Sequence, residues 1–240
     1  MAIFQLNEEK ENAFQKYISD AACIRLINTE EKNEPVIALK AGQVIHTAKG
    51  IYSLGCRVKW VTSYGNTKYG FITSAHGNAV GDNFYASSSL GSTLLGPVVK
   101  RKFSGNVDVS VVRLDASGVA YTLSNNLYGM STSSVLTPSI MPQIYTGMVI
   151  EKIGSTTGHT SGTVVSVSTT STYDGITFSD YIEYTNKTEK GDSGGINNAY
   201  DPNTSTLKVV GITESSNTIT GKGAKFSNIR SSFSSTLSLF

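Results

Sequence analysis

The sequence predicts an all-β fold, a barrel or a sandwich, and three observations carry that expectation. Short runs rich in β-branched and aromatic residues recur from about Val36 onward. Turn-forming clusters such as "YGNT", "VGDN", "FSGN", "TYDG" and "DPNTS" separate them. Helical spacing of apolar residues is confined to the two ends of the chain.

The elements follow in order. In residues 7–24, Asn7 stands at a cap position and Glu8 and Glu9 fill the first turn, where the helix dipole favours acids. Phe14, Tyr17, Ile18, Ala21 and Ala22 then recur at helical intervals, which makes one amphipathic helix. The charged stretch "NTEEKNEP" reads as a linker or exposed turn. Strands are expected in "YSLGCRVKWVTS", "KYGFITSA", "VDVSVVRL", "GTVVSVS", "YIEYT" and "LKVVGIT". The end, "FSNIRSSFSSTLSLF", places Phe226, Ile229, Phe233 and Leu237 on one side of a second helix. No internal repeat or low-complexity tract interrupts this order.

Composition excludes several function classes. The chain has 240 residues, 39% of them apolar, enough to fill a core. Charged residues make up 16% and the net charge is +2, so no basic field is available for a nucleic-acid backbone. Apolar runs fall far short of the roughly 18 residues of a spanning helix, so no membrane partner is expected. Cys23 and Cys56 are too few for a disulfide framework and lack zinc-site spacing; no metal or cofactor is expected, and the expected state is a monomer. The start "MAIFQLNEEKENAF" lacks the basic-then-apolar order of a signal peptide. A secreted location, which requires that a signal has been removed, is the expectation, with the cytoplasm as the alternative.

The most informative stretch is "EKGDSGGI", residues 189–196, where one serine lies among three glycines. Such a turn must leave ordinary backbone space and let something approach closely. A serine hydroxyl becomes a nucleophile only when a base takes its proton and a third group orients that base. Of three histidines, His46 in "QVIHTAKG" reads as a surface residue and His159 in "GSTTGHTSG" as a hairpin tip. His76 differs, because "YGFIT" ends in "SAHG" and sets an imidazole among small residues at a strand end. In "NVDVSVVRLD", Val107, Val109 and Val111 share one face of a strand and Asp108 begins the other, where a buried acid needs a donor. Taken singly, His76 has an ordinary structural reading and Asp108 reads as a solvent-facing strand residue.

Together, and in the order His, Asp, Ser, they resemble the chymotrypsin-like serine proteases, in the bacterial branch of α-lytic protease and the streptogrisins. "SLGCRVKW", "GFITSAHG", "DVSVVRL", "GSTTGHTSGTV", "GDSGG" and "VVGITESSN" match that branch in order from about Ala41 to the end. The resemblance implies a double six-stranded β-barrel over residues 41–240, with a short C-terminal helix. Residues 1–40 are then a helical N-terminal extension, the remnant of a pro-region. The substrate is expected to be a protein or peptide, cleaved in the cleft between barrels. His76 is implied as the base, Asp108 as its orienting group and Ser193 as the nucleophile. The N–H groups of Gly191 and Ser193 are the implied oxyanion hole, with Gly194 and Gly195 allowing close packing behind it.

The resemblance also implies a pocket around Lys187, Thr188, Thr213, Glu214, Ser215 and Ser216. Three alternatives stay open there: Lys187 favouring an acidic side chain before the cleaved bond, Glu214 favouring a basic one, or a salt bridge between the two that leaves the pocket polar and neutral. Lys152 in "EKIGSTTG" is implied as the cation that pairs with Asp192, so that no freshly cut N-terminus is needed. Three departures from the branch are visible. Gly77 replaces the cysteine that usually bridges to one near position 56, and a bond from Cys56 to Cys23 is an open alternative. Glu214, Ser215 and Ser216 replace a Ser-Gly-Gly strand, and Glu214 stands where a serine usually supports the aspartate. An inactive binding module of the same fold is the alternative function, although no triad member is missing. An α/β-hydrolase is excluded by chain order, since its histidine follows its serine.

Overall fold

A computed structural model describes residues 37–88, 91–114, 121–216, 220–234 and 236–240. The helix expected over 7–24, the linker after it and Cys23 lie outside the described residues. The chain divides into two compact units, Met1–Glu34 and Pro35–Phe240, and the second contains every described element. Its first strand begins at Ile37, ahead of the expected boundary at Ala41.

The first half of this unit contributes β1 (Ile37–Ala41), β2 (Val44–His46), β3 (Ile51–Ser53), β4 (Arg57–Val61), β5 (Thr67–Thr73), β6 (Asn83–Ser88), β7 (Gly91–Ser104), β8 (Val107–Arg113) and β9 (Tyr121–Leu127). The second half contributes β10 (Leu136–Ile140), β11 (Val149–Gly154), β12 (Gly158–Tyr173), β13 (Ile176–Tyr184), β14 (Ile196–Asp201), β15 (Thr206–Ser216), β16 (Gly221–Lys225), α1 (Phe226–Ser232) and β17 (Leu237–Leu239). Among the described residues, β1 and β9 form a parallel ribbon and the other strands form two curled sheets. One sheet runs β17-β4-β5-β8-β7-β6-β2-β3. The other runs β10-β15-β14-β11-β12-β13-β16 and closes on itself because β15 also pairs with β16. Bulges at Phe84/Tyr85 and Val98/Lys100 let the long strands bend around the first barrel.

Each barrel has its own apolar filling, and a third cluster joins them. Ile45, Phe71, Phe84 and Leu95 fill the first, and Met148, Ile150, Ile182 and Tyr184 the second. Val107, Val109 and Val111 of β8 pack with Ile153, Phe178, Ile196 and Ile212 in the cluster shared by both sheets. Val112 turns to the first barrel's interior. Strand β8 is therefore buried on both faces, and Asp108 is buried rather than facing solvent. That position puts it at the seam between barrels.

The tail corrects one expectation. The helix ends at Ser232, Ser234 takes a φ of 55°, and Leu237–Leu239 forms β17 antiparallel to β4, with Leu237 opposite Trp60. Phe226, Ile229 and Leu237 still enter one core. The periodic apolar positions were the right ones to bury, but the Ser/Thr run after Phe233 competes poorly for helix. The edge of β4 offers that backbone a full set of partners instead.

Candidate active site

Local chemistry brings His76, Asp108 and Ser193 together. The strand β5 ends at Thr73, and the loop that follows turns its backbone toward β8: Ala75 N–H and His76 N–H both donate to Asp108 Oδ1, at 2.6 and 2.8 Å. Asn78 braces this loop by donating to the Ser74 carbonyl at 2.8 Å and accepting from Ser110 Oγ at 2.6 Å. His76 Nδ1 then lies 2.5 Å from Asp108 Oδ2. A carboxylate there assigns the proton to Nδ1 and leaves Nε2 as an acceptor, 3.0 Å from Ser193 Oγ. Gly77 explains the missing cysteine. Its φ is +76°, and a Cβ there would lie 2.7 Å from the Tyr52 hydroxyl, which donates to the His76 carbonyl at 3.0 Å. Cys56 is buried and has no disulfide partner among the described residues.

The turn before Ser193 is held from behind. Ser53 Oγ and Ser155 Oγ each donate to the Gly191 carbonyl at 2.8 Å, and Thr156 Oγ1 donates to the Lys190 carbonyl at 2.8 Å. The Lys190–Gly191 peptide is trans, so its N–H lies opposite the carbonyl that Thr156 holds. Among the described residues neither Gly191 N–H nor Ser193 N–H has a partner. Gly191 has a φ of +103°, and a Cβ on it would meet Thr156 Oγ1 at 2.3 Å. The need for glycine here comes from the back of the turn rather than from crowding of the cleft.

Asp192 is wholly buried and so is Lys152. Lys152 Nζ donates to Asp192 Oδ2 at 2.7 Å and to Thr157 Oγ1. Thr156 N–H, Thr157 N–H, Thr157 Oγ1 and Glu189 N–H complete the set of donors to this carboxylate. Burial alone would raise the Asp192 carboxyl, but these donors outweigh it and hold it below the ordinary range.

Glu214 is the unusual member of the site. It is 4% exposed, and one carboxyl oxygen of Glu214 lies within 4.8 Å of ligand-type atoms of both His76 and Asp108. Neither Glu214 oxygen accepts a hydrogen bond. Burial, and then the Asp108 charge, push its carboxyl well above the usual range. Burial also works against the ionised form of Asp108, but Glu214, His76 and Ala75 N–H outweigh it and keep Asp108 below that range. The three side chains are metal-ligand types, yet the 2.5 Å His76–Asp108 contact leaves no space for an ion between those two.

A cleft of about 820 Å³ opens over Ser193. Of the sequence-derived pocket residues, Thr188 and Glu214 line it. Thr213 is buried behind, bonded to Asn197 and Tyr184 at 3.2 and 3.1 Å. Lys187 turns outward and pairs with Glu189 at 2.7 Å, so of the three pocket alternatives the Lys187–Glu214 bridge is absent; a buried carboxyl cannot reach a lysine that stays in solvent. The side chains of Ser215 and Ser216 lie outside what the structure describes. Their backbone continues β15 and pairs with β16, whereas pairing with β14 stops at Ile212. The facing edge of β15 is therefore open beside Ser193 among the described residues.

Sequence reasoning missed Tyr52, Tyr173, Lys190 and Lys222, all on the cleft wall. Tyr173 reaches the site from the tip of the β12–β13 hairpin, with its ring 4.6 Å from that of His76. No local signal marks such residues, because only the fold brings the hairpin tip to the histidine. The other histidines are elsewhere. His46 is half-buried at the end of β2, not fully at the surface, and stacks on Tyr85 at 5.6 Å. His159 follows the β11–β12 turn, 3.7 Å from Glu151.

No family model matches the chain. Over 141 residues it is 33% identical to glutamyl endopeptidase 2 of Streptomyces griseus, a stretch that covers 58% of this chain and 70% of that protein. Protease A of Thermobifida fusca superposes with a TM-score of 0.66 at 23% identity, covering 84% of this chain and 98% of the other. A glutamic-acid-specific serine protease, described as using a histidine triad in substrate binding, superposes with a TM-score of 0.61 at 25% identity, covering 84% and 100%. The solved structures carry the same double barrel, and the curated relative carries the sequence likeness across most of its own length; the chain thus belongs to the chymotrypsin-like serine endopeptidases, in their bacterial branch.

Proposed function

We propose that the chain cleaves peptide bonds through an acyl-enzyme at Ser193, with His76 as base and acid and Asp108 as the group that orients it. The single observation behind this reading is the relay of 3.0 Å from Ser193 Oγ to His76 Nε2 and 2.5 Å from Nδ1 to Asp108. As Oγ attacks the carbonyl carbon, its proton moves to Nε2. The carbonyl oxygen becomes an oxyanion, which the N–H groups of Gly191 and Ser193 receive, each contributing about 3 kcal/mol. The C–N bond then breaks as Nε2 returns the proton to the leaving amine. Water repeats the sequence on the ester and restores the serine. An extended peptide adds to the open edge of β15, so strand pairing supplies binding that ignores side-chain identity.

The side chain before the cleaved bond is proposed to be acidic. Lys190 and Lys222 line the cleft, the carboxylate of Glu189 is already paired with Lys187, and burial beside Asp108 pushes the Glu214 carboxyl toward its neutral form. Strand β16 passes so near Thr188 that a Cβ on Gly221 would sit 2.6 Å from its hydroxyl, which sets Lys222 at this corner. A histidine triad is not the means here, since His76 is the one histidine on the cleft wall among the described residues. A secreted location belongs to the same proposal and is checked by detecting the protein in culture medium.

The test of the reaction is a fluorophosphonate probe followed by peptide mass spectrometry. The adduct is expected on Ser193. Folded protein that stays unlabelled would leave the inactive binding-module alternative standing. Glutamate-containing peptides should be cut faster than alanine ones, and Lys222→Gln should shrink that ratio.

A further inference from the structure

We propose that Glu214 is a protonated carboxylic acid that donates its hydrogen to Asp108 and so positions the carboxylate that orients His76. The proposal rests on the triad reading above and adds a residue to it. Its basis is a mismatch in hydrogen-bond supply. Asp108 Oδ1 receives Ala75 N–H and His76 N–H, and Oδ2 receives His76 Nδ1, so this carboxylate is surrounded by donors. Glu214 lies in the same buried pocket, has an oxygen within 4.8 Å of Asp108, and receives none.

Two adjacent carboxylates with one supply of donors cannot both stay charged out of water. The proton must settle on the acid that lacks donors, and that acid is Glu214. Once protonated it has one O–H, and Asp108 is the acceptor within reach. The neighbours leave no other solution. The titratable side chains around Glu214 are Asp108 from β8, His76 from the loop after β5, and Tyr181 and Tyr184 from β13. The Tyr184 hydroxyl already has partners: it accepts from Asn197 Nδ2, and its one hydrogen is taken up between Thr213 Oγ1 and the Lys222 carbonyl. The buried Tyr181 hydroxyl has no partner and carries no positive charge to offer. Among the described residues no lysine or arginine pairs with Glu214.

The backbone of the same residue touches the nucleophile, since Ser193 Oγ lies 3.4 Å from the Glu214 carbonyl. One residue thus meets both ends of the relay, its carbonyl near the serine and its acid near the aspartate. The chemical consequence is a second proton requirement. Turnover needs His76 without its extra proton and Glu214 with its own. On the alkaline side Glu214 ionises, Asp108 loses a donor and gains a like charge, and the imidazole is no longer held in place.

The experiment compares kcat/KM against pH for the full chain and for Glu214→Gln and Glu214→Ala, on one peptide substrate. Gln keeps a donor for Asp108 but cannot ionise; Ala does neither. We expect wild type to rise and then fall with pH, Gln to rise without the alkaline fall, and Ala to lie roughly ten- to a hundredfold below wild type with Gln between them. Infrared spectra near neutral pH should show a protonated carboxylic acid band in wild type that Glu214→Gln removes. An alkaline fall that persists unchanged in Gln, an Ala variant as active as wild type, or the absence of that band would each overturn the proposal. Labelling of Ser193 separates the two levels. If Ser193 takes the probe and Glu214 fails these tests, only the added role is lost; if Ser193 is never labelled, the triad reading falls, while the infrared band still reports on Glu214.

Discussion

Two buried acids flank Ser193, Asp192 one residue before it and Glu214 on the neighbouring strand, and the protein handles them in opposite ways. Asp192 keeps its charge because Lys152, two threonines and the Glu189 N–H surround it with donors. Glu214 has none of these and gives up its charge instead. Burial is nearly complete at both, so desolvation does not distinguish them. The supply of donors does. A buried carboxyl is a fixed anion where the backbone turns its N–H groups inward, as in the Thr156–Thr157 turn, and a neutral acid where it sits among other acceptors.

The largest expected effect tests the donor-rich acid on Glu214's own side. Asp108→Asn removes the charge that fixes the His76 tautomer, and kcat should fall by about 10⁴-fold with KM little changed, read by steady-state kinetics. Next is the far side. Lys152→Met strands Asp192 without its cation and should cost about 3 to 5 kcal/mol. For a domain of this size that lowers Tm by about 6 to 20 °C, measured by calorimetry. Adding Asp192→Asn to Lys152→Met should recover much of the loss, and a Lys152→Met protein with wild-type Tm and turnover would erase the contrast between the two acids.

Smaller effects come from pH. Glu214 holds its proton above the pH at which the unfolded chain gives it up, so its contribution to stability is complete in acid and declines as pH rises toward its folded value. The slope is at most about 1.4 kcal/mol per pH unit. Urea unfolding at about pH 5 and about pH 8 should therefore show Glu214→Gln gaining on wild type as pH rises. Asp192 has the opposite sign: its contribution is present above the ordinary carboxyl range and lost as pH falls through its lowered folded value. The smallest effect is at His159, outside the cleft and only weakly tied to Glu151 at 3.7 Å. His159→Ala should leave turnover within about twofold and stability within about 0.5 kcal/mol.

Much of this site was legible in the sequence because its parts lie in short motifs with local meaning. "SAHG" puts a histidine at a strand end and "GDSGG" marks a turn that needs left-handed backbone at Gly191, whereas the aspartate of "DVSVV" alone reads as solvent-facing and stands out only by its place between the other two motifs. What was not legible depended on distant segments choosing partners. A Lys187–Glu214 pair was one of three open alternatives, and charge patterns in a linear chain do not reveal that one of them is in solvent and the other sealed. Tyr173 is invisible for the same reason, since nothing in "STTSTYDG" points to a histidine far upstream. The tail shows a further limit. Apolar spacing in "FSNIRSSFSSTLSLF" picked out the buried residues, but whether Leu237 arrives on a helix or a strand was decided by an unpaired edge on β4.

That last strand has a kinetic consequence. Residues Arg57 and Phe240 are 183 positions apart, yet the Arg57 side chain donates to the Phe240 carbonyl and its guanidinium stacks 4.4 Å from the Phe240 ring. Every strand of the first barrel except β17 has been synthesised long before this contact can form. Until then the growing chain carries an exposed β4 edge, the feature that invites pairing with neighbouring chains. Cover for the β4 edge must therefore wait until the second half of the chain has been made, and a pairing of such long range forms slowly.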